Sequence, residues 1–283
     1  MSHRPAGRLG RRAFPALLGV AALVTGVFLL LPLVAVFLRV PPGDLVAQLG
    51  SDVARDAILV TIETTLIAQG LILLVGTPAA YLIANRRFRG RTLAVTLIEL
   101  PLVLPPTVAG IALLAAFGRL GLLGDTFNAL GVTVSFTQTA VVLAVAYVAS
   151  PFYLRQAIAT FEGLDRSLVD AARTLGAGPG RVFVRVSLPL AARGLGAGAA
   201  LSFARGIGEF GATIMFAGSL QGVTQTLSLA IYAQFNVNFD VALALGALLV
   251  VASATVLLTA KLVPSWTRSR STSHSPAATS WSS

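Results

Sequence analysis

The sequence predicts an all-α polytopic membrane protein with six transmembrane helices, and three observations carry that prediction. Hydrophobic residues make up 55% of the 283 and charged ones only 11%, with a mean hydropathy of +0.83. A soluble domain carries about 25% charged residues, so the chain is built for a lipid solvent. Apolar runs recur six times, each near the roughly 20 residues that a helix needs to cross a hydrocarbon core of about 30 Å. The arginines fall between these runs, mainly in alternate connections.

The first run, Ala13 to Leu38, holds no charge. It is longer than the apolar stretch of a signal peptide, about 7–15 residues, and no small-x-small cleavage site follows. Arg11-Arg12 therefore reads as the flank of a retained anchor helix rather than a twin-arginine signal. Ala57 to Asn85 is the second run, interrupted by Glu63. Leu93 to Phe117 is the third and carries Glu99, Pro101, Pro105 and Pro106. Thr139 to Thr160, with Pro151, is the fourth, and Leu190 to Phe216, with Arg205 and Glu209, is the fifth. Val241 to Val263 is the sixth.

Arg4, Arg8, Arg11 and Arg12 precede the first run, and Arg86, Arg87, Arg89 and Arg91 lie between the second and third. Arg155, Arg166, Arg173, Arg181, Arg185 and Arg193 are assigned to the fourth–fifth connection, and Lys261, Arg268 and Arg270 to the C-terminal end. The remaining loops hold Arg39, Arg55 and Arg119 beside Asp44, Asp52, Asp56, Asp125 and Asp240. Basic loops stay in the cytoplasm, so both termini are expected there, as an even number of spans requires. The expected organisation is residues 1–56 for a cytoplasmic tail, the first helix and an outer loop, then 57–263 for the core. Residues 264–283 form a Ser/Thr-rich tail of disordered composition.

Several function classes fall away. The chain has no cysteine, so disulfides and thiolate chemistry are excluded; its two histidines, His3 and His274, stand in the polar tails without partner ligands. No metal site and no cofactor are expected. The net charge of +10 is spread over loops between spans, which argues against a nucleic-acid surface. Lys261 is the single lysine, so no G-x-x-x-x-G-K-[ST] phosphate loop exists. No Ser/His pairing or paired carboxylates can be assembled for a membrane enzyme.

The stretch "VDAARTLGAGPGRVFVRVSLP" (Val169 to Pro189) holds three closely spaced glycines, yet its G-x-G-x-G spacing and preceding helix signals do not fit a dinucleotide loop. Leu164, Leu168, Ala171, Ala172 and Leu175 share one helical face over Leu164 to Leu175. Asp165 is placed to cap that helix, Gly176 to end it in a left-handed conformation, and Pro189 to open the next span. The result is a short amphipathic helix of about residues 164–180 between two spans.

Asp170-Ala171-Ala172, three residues, Gly176, nine residues and Val186-Ser187-Leu188-Pro189 resemble the EAA loop of bacterial ABC-transporter permeases. Asp170 stands for the usual Glu and Val186 for Ile. "ELPLVLPPTVAG" (Glu99 to Gly110) and "GEFGATIMFAG" (Gly208 to Gly218) are similar to the molybdate permease subfamily, with sulfate and thiosulfate permeases as near neighbours. The resemblance covers Ile58 to Lys261. It implies a type I importer permease fold in the bacterial inner membrane, paired with a second copy of itself. It also implies two cytoplasmic ABC ATPase subunits that hydrolyse ATP on its behalf, and an extracytoplasmic oxyanion-binding protein. The cargo is then molybdate, or tungstate, with sulfate or thiosulfate as the alternative. Asp170, Ala171, Ala172, Gly176, Leu188 and Pro189 would form the contact with the ATPase. An ATP-independent transporter is disfavoured by this motif and by the lack of an ion relay among Glu63, Glu99 and Glu209.

Within the spans, Pro105 and Pro106 free backbone groups that only protein or water can satisfy. They are candidates for the pathway, with Thr107 beside them; a packed structural kink is the other reading. Arg205 and Glu209 stand four apart on the fifth run and can pair, as a gate or as a neutralised structural couple. Ser202 and Thr213 are the candidate pathway hydroxyls. The glycines Gly194, Gly196, Gly198, Gly206, Gly208 and Gly211 let helices approach closely in lipid.

Overall fold

The computed structural model describes residues 8–39, 41–86 and 88–269. His3, Arg4, Arg87, Arg270, His274 and the tail from residue 270 lie outside the described residues. Those described form helices and turns, without a strand among them. In chain order the helices are α1 (Arg8–Arg39), α2 (Pro42–Leu49), α3 (Asp52–Asn85), α4 (Arg91–Val103), α5 (Pro106–Phe117), α6 (Gly124–Ala129) and α7 (Gln138–Glu162). They continue with α8 (Arg166–Thr174), α9 (Pro179–Val182), α10 (Leu188–Ile207), α11 (Gly211–Ala217), α12 (Leu227–Gln234) and α13 (Phe239–Ser269). The π-helical turn Phe183–Ser187 makes α9 and α10 one continuous rod.

Five rods are long and apolar enough to cross a membrane: α1 from Phe14, α3, α7, α9–α10 and α13. The pair α4–α5 meets the same length and composition only when taken together, and it is bent by 116° at its break. The span of α1 buries nothing within the chain. α3 starts where Ser51 accepts a hydrogen bond from the Ala54 amide at 3.3 Å, with Asp52 in the first turn to complement the helix dipole.

α3, α7 and α10 form the centre. Lipid tails are as apolar as the side chains, so helix association rests on close packing rather than on escape from water. α10 supplies it with a small residue at every fourth position, Gly194, Gly198, Ser202 and Gly206. A Cβ on Gly198 would lie 2.9 Å from Gln156 Cβ, one on Gly206 3.0 Å from Val145 Cγ1, and one on Gly194 would overlap Thr160. At one end of the bundle Ala54, Ala57, Leu227, Ala230, Val241 and Leu245 bring α3, α12 and α13 together. At the other end Tyr81 packs edge-on to Phe161 (centroids 5.2 Å apart) and against Phe183 (4.7 Å), tying α3, α7 and the π turn.

One sequence expectation is sharpened and three need correction. The third run is two helices, because Pro105 caps and Pro106 opens α5 after extended Leu104. The fifth run is also broken: α10 ends at Ile207, and Glu209 stands in the gap before α11 rather than on a helix. Pro189 does not open that span, which begins at Pro179. Pro189 has no amide to bond the Arg185 carbonyl, and the ladder slips one residue, with the Leu188 amide bonding Phe183. Arg155 belongs to α7 rather than to the fourth–fifth connection.

Candidate functional site

α8 is built from local signals. The Asp165 carboxylate accepts from the Ser167 amide at 2.9 Å. The Ser167 hydroxyl, and after it that amide, hold the Asp165 carboxyl below its ordinary range. The helix ends as a Schellman motif: Ala177 N–H donates to Ala172 O (3.0 Å) and Gly176 N–H to Arg173 O (2.9 Å). Gly176 has φ +81° there, a conformation that costs a residue with a Cβ about 1–2 kcal/mol. Pro179 then starts the next rod.

The face that α8 shows outward is apolar. Leu175 is 88% and Leu168 48% exposed, Ala171 is exposed and Ala172 half-buried; only Val169 is buried. Asp170 is exposed and pairs loosely with Arg173 at 3.5 Å. Leu188, half-buried, joins the aromatic cluster above, and Pro189 is exposed on the rod. Asp170, Ala171, Ala172 and Gly176 thus lie together, with Leu188 and Pro189 one element away. The helices on either side of α8 are tied to each other by Phe161 and Phe183, whose centroids are 6.4 Å apart. α8 is a loop held at two fixed points.

A second constellation lies inside the bundle, where the two broken spans meet. A Cβ on Gly211 would stand 2.7 Å from Pro106 Cβ and 3.2 Å from the Thr107 amide nitrogen; one on Gly110 would stand 2.6 Å from the Ala212 oxygen. The two gaps therefore touch, and the α5–α11 contact needs glycine on both sides. Glu209, 2% exposed, organises the join. Its Oε1 accepts from the Ala212 amide at 2.8 Å, satisfying one of the orphan donors of α11. Its Oε2 lies 2.7 Å from an Arg205 terminal nitrogen, off the line of a hydrogen bond.

Pro105 and Pro106 are exposed on this chain and Thr107 is half-buried beside them. Thr213 is fully buried and its hydroxyl has no partner. Ser202 donates to the Ala149 carbonyl at 3.0 Å, within the α7–α10 contact and away from the gaps. The described residues hold no group of three or more His, Cys, Asp or Glu side chains.

Two features escaped sequence reasoning. Gln69 on α3 is buried with neither amide atom bonded; a lone Gln inside an apolar run was the available signal. α4, which buries no residue, is fastened to α7 by two ion pairs, Arg91–Glu162 and Arg155–Glu99, the latter 3.1 Å from Nε to Oε1. The inclusion of position 155 in the run Thr139 to Thr160 was the sign of the second.

Broken spans meeting inside a bundle of long apolar helices, with an exposed helix slung between two of them, define a multi-pass transport subunit. The chain belongs to the family described as "Binding-protein-dependent transport system inner membrane component", whose profile it matches over residues 72–267. It is therefore an inner-membrane permease of the ABC-importer type. Among its relatives is the Molybdenum transport system permease protein ModB of Mycobacterium tuberculosis, 45% identical over 86% of this chain and 90% of that protein. ModB of Escherichia coli strain K12 is 39% identical over 64% of this chain and 80% of that protein. A probable molybdenum ABC transporter permease of Haloferax volcanii is 42% identical over 77% and 82%. The fold is shared with a chain of a bacterial alginate ABC transporter, solved with an alginate-bound periplasmic protein. That match has a TM-score of 0.65 at 18% identity, over 90% of this chain and 96% of that one.

Proposed function

We propose that this chain is the membrane half of an ATP-driven molybdate importer, acting as a pair of copies. Two ABC ATPase subunits bind its α8 surfaces in the cytoplasm, where both termini also lie, and an extracytoplasmic oxyanion-binding protein delivers the cargo. The observation that carries the mechanism is α8. An apolar helical face at 88% exposure at Leu175, outside the spans, asks for a partner groove. ATP hydrolysis belongs to that partner, since no phosphate loop can be written in this sequence. The choice of molybdate rests on what the relatives are named for.

In this reading the ATPases move α8, and the aromatic cluster passes the motion to α3, α7 and α10. The gap at Pro105, Pro106 and Thr107 and the gap at Glu209 to Gly211 shift against each other as the path opens. Arg205 and Glu209 lock the gate, and Thr213 supplies a hydroxyl that becomes usable when the gaps part. The protein with its ATPase and binding protein, reconstituted in vesicles with ATP, should accumulate molybdate, with tungstate as competitor. Sulfate uptake without molybdate uptake would overturn the cargo, and uptake without ATP would overturn the mechanism.

A further inference from the structure

The geometry points to Arg155 as a receiving side chain for the oxyanion on the inner half of the pathway, its guanidinium passing between Glu99 and the cargo. This rests on the transport reading above and adds to it a residue that touches the substrate.

Two arginines of the spanning rods have carboxylate partners: Arg155, about two turns from the end of α7, and Arg205, in the last turn of the α9–α10 rod. Arg205 is 29% exposed and its partner Glu209 1%, and Glu209 is also committed to the Ala212 amide. That pair is closed. Arg155 is 62% exposed and Glu99 39%. Arg155 stands about 10 Å along α7 from Glu162, and Glu99 about 12 Å along α4 from Arg91, at 1.5 Å per residue. Charges exposed at such depth face water or protein rather than lipid.

The wall beside Arg155 is hollow. Leu102, Phe152, Arg155, Gln156, Ala159 and Leu201 line a half-open cleft of about 400 Å³ between α4, α7 and α10. The shortest contact of Glu99 is with Nε, and the two terminal nitrogens of the guanidinium donate no hydrogen bond among the described residues. These nitrogens form the planar edge that takes two oxygens of a tetrahedral anion. The Gln156 amide, held only by a 3.4 Å contact to Thr160, is a second donor on the same wall. Glu99 keeps the local charge near zero, so an oxyanion arriving here meets donors without a deep trap and can leave. A transit site needs that balance.

The ion pair could instead be a plain fastener of α4 to α7, and charge exchange separates the two roles. The experiment uses the whole complex in vesicles, measuring uptake of radiolabelled molybdate and ATP hydrolysis together. R155A should lower uptake at least about tenfold, the size of a lost charged hydrogen bond. ATP hydrolysis stimulated by the binding protein should stay within about twofold. R155K, a point charge without the fork, should fall between. E99R/R155E restores a pair but puts the receiving charge on the wrong helix, and should remain as impaired as R155A. Recovery of uptake by E99R/R155E to within about twofold of wild type, or unimpaired uptake by R155A, would overturn the proposal. If R155A does not assemble, the exchanged pair decides alone. Failure of the wild-type complex to take up molybdate while taking up another cargo would refute the molybdate reading instead, and with it the ligand assigned to Arg155.

Discussion

The gap at Glu209 and the helix α8 are both irregular, and they differ in what completes them. At the gap the chain completes itself: Glu209 is buried, caps α11 and neutralises Arg205, while Gly211 and Gly110 let α5 and α11 close on each other. At α8 the backbone is equally well finished by Asp165 and Gly176, yet the apolar side chains are left uncovered. Irregular backbone inside lipid must satisfy itself or fail. Irregular structure outside the membrane can wait for another protein. The two regions should therefore fail in different ways when altered.

The largest loss of fold is expected from Glu209→Ala. It leaves Arg205 without its buried partner and α11 without its cap, a change worth about 3–5 kcal/mol. Thermal unfolding in detergent should show a midpoint well below wild type and a poorly assembled complex. Gly211→Val should come next, at about 1–3 kcal/mol of overpacking against Pro106, seen in the same measurement. Gly176→Val strains the left-handed turn by about 1–2 kcal/mol. Its main effect should be uncoupling, with ATP hydrolysis retained and molybdate uptake lost. Leu168→Asp with Leu175→Asp should leave the unfolding midpoint within the error of a surface change, about 0.5 kcal/mol, while the ATPase no longer co-purifies. The smallest effect is acid release of the α8 cap. Its carboxyl titrates below the ordinary value, so the cap is complete above that range and lost as pH falls through the lowered value. Protection of the Ser167 amide, measured against its intrinsic exchange rate at each pH, should fall there.

A fold defect from Leu168→Asp with Leu175→Asp, or a pure uncoupling from Glu209→Ala, would break the contrast. Equal effects on ATPase binding from both would reduce it to general destabilisation.

The difference also governs how much the sequence disclosed. α8 was legible because its signals are local: a capping Asp165, a helical repeat of Leu and Ala, and a terminating Gly176, all within one short stretch. The break at Pro105 and Pro106 was legible as a break, though not its 116° bend, which depends on what α5 packs against. The gap at Glu209 was not legible. No proline marks it, and the helix ends because a carboxylate reaches the Ala212 amide and Gly211 reaches Pro106, a contact about a hundred residues away in the chain. Pro189 misled because proline is common at helix starts, whereas here a π turn absorbs it. Ser202 read as a candidate pathway hydroxyl, and its partner, the Ala149 carbonyl, became visible only once α7 and α10 were packed.

The chain contains no cysteine, which makes the direct measurement clean. Leu175→Cys places one thiol at the end of α8, where the native side chain is 88% exposed, and its modification by a charged maleimide can be timed with and without the ATPase subunit. The isolated permease should label rapidly and be strongly protected once the ATPase is bound, with molybdate uptake blocked in the labelled protein. Equal labelling rates in both states would contradict this, since α8 would then not be the surface through which ATP hydrolysis reaches the membrane.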